Sequence, residues 1–392
     1  LRHFWMLSQT NALSANEETT SGLPRCTSSE SLAEKASETK TERLCSAIVE
    51  KSARQLIMCQ TRDEYAIFTS RFRPSTESDS QGKHAVILVH GFACNRMTFN
   101  LNEKVSVAKY LASKGWDTYV MELRGSGRSK HPSAHHKTPH EWFEHPSCDS
   151  SEESWKYQDY VEDVRAVVQL VFDHTKLPVH LIGHSMGSML VLSTAMDETD
   201  REVKLVKSCV CMAGSFAMQT SKWKDFAWLW MVVKHLKTLH PEAIVNRFAP
   251  MSLQMGTPWD HLFFQPDNVD MEMAKLLFQK NWEPVPVSLV SQLRWVLSPR
   301  GMYDPATHEY YQEGLKCITA PVLCVAGSHD EQCPPQEMRR ASSMIPGSKF
   351  ACFGKKSGTE NDYGHFDLLI GKNARTEVWD YVHDFLTKND KM

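Results

Sequence analysis

Several things are missing from this 392-residue chain. No Asn-x-Ser/Thr sequon occurs, so nothing marks it for N-glycosylation. No apolar run reaches the roughly 18 residues that a membrane span needs. Neither sign of charge dominates: 44 basic against 47 acidic side chains leave a formal net charge of -3. That balance argues against a nucleic-acid partner and a generally basic membrane-binding surface. Cys209 and Cys211 stand two apart in an apolar run, and the eleven cysteines are scattered and odd in number. Zinc and dithiol spacings are therefore excluded, and the thiols read as reduced in an intracellular, cytoplasmic setting. Arg124-Gly125-Ser126-Gly127 has no third glycine and helix at the distance a dinucleotide site requires. No cofactor is expected.

Residues 1 to 43 are rich in Ser, Thr and Glu and poor in periodic apolar residues, and are expected to be a disordered tail. Their six glutamates do not suit an organelle transit peptide. The sequence begins at Leu1 rather than Met, as a fragment would, so a targeting segment could stand before it.

Beyond the tail, two strands at Gln55 to Gln60 and Tyr65 to Arg73 flank the turn Thr61 to Glu64, a hairpin signal. From His84 strands and helices alternate. Strands are predicted at 84–89, 116–121, 179–182, 206–213, 322–326 and 349–353. Helices are predicted at 103–114, around 157–171, at 186–196, at 335–344 and at 374–386. Such alternation predicts an α/β fold with a mostly parallel sheet covered by helices on both faces. The stretch 215–314 breaks the pattern and is too long for a loop. It is read as a helical cap inserted into a core made of 44–214 and 315–392.

Gly183-His184-Ser185-Met186-Gly187 follows a strand and opens a helix. A serine at so sharp a turn stands exposed, its neighbouring glycines avoid clashes, and the helix start offers free N–H groups to an oxyanion. Ser185 is the expected nucleophile. Phe92, in the His90-Gly91-Phe92 loop after another strand, and Met186 are the expected backbone donors of an oxyanion hole. His90 itself reads as a brace for that loop. An acid and a base should follow the nucleophile in chain order. Asp330 lies just past the 322–326 strand, with Glu331 as its competitor. His365 lies in the loop between the last strand and the last helix, with His329 as a weaker alternative base. The catalytic assignment is Ser185, Asp330 and His365, with no metal.

These pieces, together with Thr61-Arg62-Asp63-Glu64-Tyr65 and Leu123-Arg124-Gly125-Ser126-Gly127-Arg128-Ser129, resemble the α/β-hydrolase superfamily across residues 55 to 386. The Thr61 piece is similar to lipase and esterase members. Gly364-His365-Phe366-Asp367 through Gly371-Lys372 resembles members near polyhydroxyalkanoate synthases and depolymerases. The synthases use a cysteine nucleophile, and epoxide hydrolases and dehalogenases an aspartate, so Ser185 counts against all three. The resemblance implies a serine esterase or lipase-like enzyme cleaving a small-molecule or lipid-like ester through an acyl-enzyme. Acyl transfer or thioester cleavage on the same triad is the first alternative. A hydrolase fold kept as a non-catalytic binding protein is the second.

Trp223, Phe226, Trp230 and Val233 share one helical face, and Trp228, Leu229, Met231 and Val232 fill much of the rest. A segment apolar nearly all round is expected in the core. In a cap it could instead line an acyl pocket, with Trp223, Phe226 and Trp230 touching substrate, or meet a lipid surface. The histidines at 131, 135, 136, 140 and 145 lack zinc spacing and read as a solvated insertion.

Overall fold

The computed structural model describes residues 49–51, 54–74, 83–129, 154–198, 202–243 and 258–391. The expectations for the 1–43 tail and for the histidines at 131–145 lie outside these residues.

Branched apolar runs make the centre of the sheet. β4 (Val86–Val89) and β6 (Val179–His184) are buried along their whole length, as strands covered on both faces must be. The other strands are β1 (Val49–Lys51), β2 (Arg54–Gln60), β3 (Ala66–Phe72), β5 (Thr118–Met121), β7 (Val206–Met212), β8 (Val322–Gly327) and β9 (Lys349–Phe353). They form one nine-stranded sheet in the order β1-β2-β3-β5-β4-β6-β7-β8-β9. The pairs from β5 to β9 run parallel, and β1, β2 and β3 join antiparallel. The expected mostly parallel sheet is therefore present, and β2 and β3 are the expected hairpin.

Two apolar layers sandwich the sheet. One holds Val164, Val168, Leu190 and Val191 from α2 (Tyr157–Thr175) and α3 (Met186–Asp197), with Cys209 and Cys211 from β7. Both cysteines thus point to one face, against α3. The other layer holds Leu111 from α1 (Val107–Ser113), with Val382, Phe385 and Leu386 from the helix Asp380–Asp390. The first helix begins at Val107, not Glu103, because Ser106 caps it by accepting the Lys109 N–H at 3.0 Å.

Between 215 and 314 the described chain forms short α-helices at Pro258–Phe263, Met271–Lys280 and Val287–Leu293. Two two-stranded ribbons accompany them, Thr238–Leu239 with Val285–Pro286 and Tyr303–Asp304 with Glu309–Tyr310. The expectation that the Trp-rich segment is core is corrected. Lys222–Leu229 is a 3-10 helix followed by one α-turn, Trp230–Val233. Trp228, Met231 and Val232 are 57%, 58% and 61% exposed. The tighter 3-10 turn redistributes the apolar side chains, and among the described residues no element covers these three.

Candidate active site

The parallel strands bring their C-terminal ends to one edge. β6 ends at His184, and the chain turns at Ser185 with φ 56 and ψ -124 before α3 starts at Met186. A serine at positive φ is strained, and persists because its surroundings leave no other room. A Cβ on Gly187 would lie 2.1 Å from the carbonyl oxygen of Val89. A Cβ on Gly183 would lie 2.2 Å from the carbonyl oxygen of Gly187. The third support comes from just past β7: a Cβ on Gly214 would stand 1.9 Å from the carbonyl oxygen of Ser185. Ser185 itself is partly exposed within an otherwise buried turn.

Asp330 follows β8 and His365 follows β9. Their side chains meet with Asp330 Oδ2 2.8 Å from His365 Nδ1, and both residues are 2% exposed. The other oxygen, Oδ1, accepts the Gln332 and Cys333 N–H groups at 2.8 and 2.9 Å, which fixes the carboxylate. Glu331, the competing acid, lies outside this contact. His329 is exposed and turns toward Ser328 and Asp362.

His365 also reaches the Ser185 turn. Its ring lies 4.7 Å from that of His184, and His184 Nε2 donates to the His365 carbonyl oxygen at 3.0 Å. Ser185 Oγ makes no hydrogen bond to His365 in this geometry. Such contacts are often loose without substrate and tighten when it binds. Burial, then the adjacent His365, hold the His184 pKa well below its ordinary value.

The loop after β4 faces the same turn. Gly91 packs so closely that a Cβ there would be 2.9 Å from Ser185 Cβ. Phe92 follows it, and Ala93 takes φ 53 to turn the chain. His90 braces this loop: Nε2 accepts the Leu123 N–H at 3.1 Å, so Nδ1 carries the proton and donates to the Gly91 carbonyl at 3.0 Å. Burial pushes its pKa down to about 4. Met186, as the first residue of α3, has an N–H with no partner inside the helix.

Asp367, two residues past His365, is fully buried. It accepts the Gly364 N–H at 3.0 Å, the Gln265 N–H at 3.0 Å and Asn268 Nδ2 at 3.2 Å. One carboxylate therefore joins the His365 loop to the 264–268 segment. Burial pushes it up to about 7. The Leu123 to Ser129 turn is also built around a buried charge: Arg124 binds Asp163 through its backbone N, Nε and Nη2 at 2.7–2.9 Å.

Of the expected substrate contacts, Trp223 lies nearest the acid loop, with Nε1 donating to Gln332 Oε1 at 3.1 Å. Phe226 packs edge-on against Trp223, and Trp230 sits under the Arg294 guanidinium. His184, Gly214 and Asp367 were not singled out by the sequence reading. Among the described residues one trio could offer ligands to a metal ion, His84, His180 and Asp390, whose ligand atoms lie within 4.8 Å of one another. It stands at the starts of β4 and β6, the opposite edge from Ser185, and the Asp390 carboxylate already accepts from both histidines.

Comparison with known proteins agrees with this architecture. The profile of the alpha/beta hydrolase fold family matches residues 84–372. Triacylglycerol lipase 1 of Arabidopsis thaliana is 20% identical over 356 residues, covering 83% of this chain and 85% of the lipase. A thermophilic esterase from Thermogutta terrifontis superposes with a TM-score of 0.54 at 15% identity, covering 86% of this chain and 99% of the esterase. A thioesterase domain from the curacin biosynthetic pathway gives a TM-score of 0.51 at 18% identity, with 87% and 99% covered. At these identities the structural likeness is one of fold.

Proposed function

Because the chain belongs to the α/β-hydrolase fold family, we propose that it is a serine hydrolase cleaving a carboxylic ester through an acyl-enzyme. The observation that carries this reading is the buried Asp330–His365 pair held against the strained Ser185 turn. His365 Nδ1 donates its N–H to Asp330 Oδ2, which leaves Nε2 as the basic nitrogen. That nitrogen takes the Ser185 proton as Oγ attacks the ester carbonyl. The N–H groups of Phe92 and Met186 receive the oxyanion, a contribution usually worth about 10²–10³ per donor. His365 then passes the proton to the departing alkoxide, and the alcohol leaves. Water repeats the sequence on the acyl-enzyme, releasing the acid and restoring Ser185.

The acyl group is assigned as apolar, with Trp223, Phe226 and Trp230 on its side of the site. Trp223 supports this placement through its bond to Gln332 beside Asp330. The test is labelling with a fluorophosphonate, followed by hydrolysis of p-nitrophenyl esters of increasing acyl length. Labelling is expected to vanish in Ser185→Ala, and rates to rise with chain length. Labelling that survives in Ser185→Ala overturns the nucleophile, and a flat profile overturns the apolar acyl site.

A further inference from the structure

Six large hydrophobic side chains are exposed among the described residues, and four of them, Trp228, Met231, Val232 and Leu236, fall within one short stretch. Isolated apolar residues on a surface are ordinary, but a cluster calls for an occupant. The spacing of Trp228, Met231 and Val232 puts them on one side of consecutive helical turns. Lys234 continues that winding by donating its N–H to the Trp230 carbonyl, and Leu236 to that of Val233. Exposed lysines frame the cluster at Lys222, Lys224, Lys234 and Lys237, with Asp225 the one acid among them. This cationic rim stands on a chain whose net charge is -3. An apolar face bearing a tryptophan and ringed by lysines matches a surface with a hydrocarbon interior and anionic headgroups.

The segment is fastened at its start to the acid loop. Lys222 donates its N–H to the Glu331 carbonyl at 2.9 Å, and Trp223 Nε1 binds Gln332. We propose that residues 222–237 are a docking face for an anionic lipid bilayer, which brings the Asp330 edge of the site to the lipid surface. The inference rests on the ester-hydrolase reading only for its purpose; the binding itself is independent of catalysis.

The experiment uses the full chain carrying Ser185→Ala, so that docking and turnover fail separately. It measures co-sedimentation with vesicles of phosphatidylcholine alone and with phosphatidylglycerol added. Binding is expected to the anionic vesicles and to weaken with salt. Trp228→Ser, Met231→Ser and Val232→Ser together should lower partitioning at least about tenfold. Lys234→Gln and Lys237→Gln should each lower binding to the anionic vesicles about fivefold and weaken the preference for anionic lipid. In the enzyme with Ser185 intact, the same surface variants should leave hydrolysis of a soluble short-chain ester unchanged, which shows that they fold. Failure to bind either vesicle, or binding that the triple variant does not weaken, overturns the proposal. So does a concentration-dependent dimer that the triple variant abolishes, since a second copy would then cover the face.

Discussion

His184 Nε2 donates to the carbonyl oxygen of His365 at 3.0 Å, so the residue before Ser185 holds the backbone of the proposed base. The bond is buried and the rings lie 4.7 Å apart. Replacing His184 by Ala removes this tether without touching the serine, the acid or the base. Losing one buried hydrogen bond is worth about 1 kcal/mol. The expected result is a kcat lowered roughly fivefold with KM little changed. Steady-state kinetics on one soluble ester decide it; a change confined to KM would contradict the tether.

Asp330 and Glu331 are separable by the same assay. Asp330→Asn should keep the fold and lower kcat by about 10⁴, because an amide no longer selects the tautomer of His365 that leaves Nε2 basic. Glu331→Gln should stay within about twofold of the parent, since its side chain lies outside the Asp330–His365 contact. Equal losses in both variants would reassign the acid.

Gly214→Ala tests the elbow from behind. The added methyl would meet the Ser185 carbonyl at 1.9 Å, a backbone atom that cannot rotate away. Overpacking of this kind costs about 1–3 kcal/mol, and the displaced elbow should lose at least about 100-fold in kcat/KM. Gly347→Ala is the control. Unlike Gly214 it has positive φ, 66°, and nothing lies within 4 Å of the new methyl. It should cost about 1 kcal/mol of stability and no activity. Denaturant midpoints and kcat/KM measured side by side check both.

His90 sets a pH dependence. Its folded pKa is depressed to about 4, against 6.5 when free. The neutral ring therefore contributes stability that is present above about 6.5 and lost as pH falls through 4. The drop amounts to about 3 kcal/mol at most. Asp367 works in the opposite direction: its folded pKa is raised to about 7, so its contribution is lost as pH rises toward 7. The informative quantity is accordingly the difference between the parent and His90→Gln. That difference should shrink as pH is lowered from 7 to 4, followed by urea unfolding at each pH. A difference independent of pH would mean that the ring titrates in the fold as it does in the unfolded chain.

Much of this site is legible in the chain. The Ser185 turn announces itself by a branched apolar strand, a small-residue turn and a helix start. Asp330 and His365 follow from chain order and from lying past β8 and β9. What could not be read is what crosses between elements. Gly214 is an ordinary strand-end glycine until β7 is laid beside β6 and its missing Cβ proves to be room for Ser185. Asp367 looks like one more polar loop residue until the 264–268 segment folds over it. The Trp-rich stretch misled for a different reason. Its composition says nothing of whether the winding is α or 3-10, and apolar periodicity assumes the former. Helix starts drifted where a cap, such as Ser106, overrode the apolar pattern.

The shared carboxylate of Asp367 has a bearing on redesign. Gly364, Gln265 and Asn268 all spend a donor on it, so the 264–268 segment and the His365 loop are not interchangeable parts. A chimera that imported the 258–280 region from a relative would leave a buried acid without its partners unless the graft brought equivalent donors. Single side-chain changes at the proposed acyl contacts Trp223 and Phe226 leave these donors in place, where a swap of the whole segment does not.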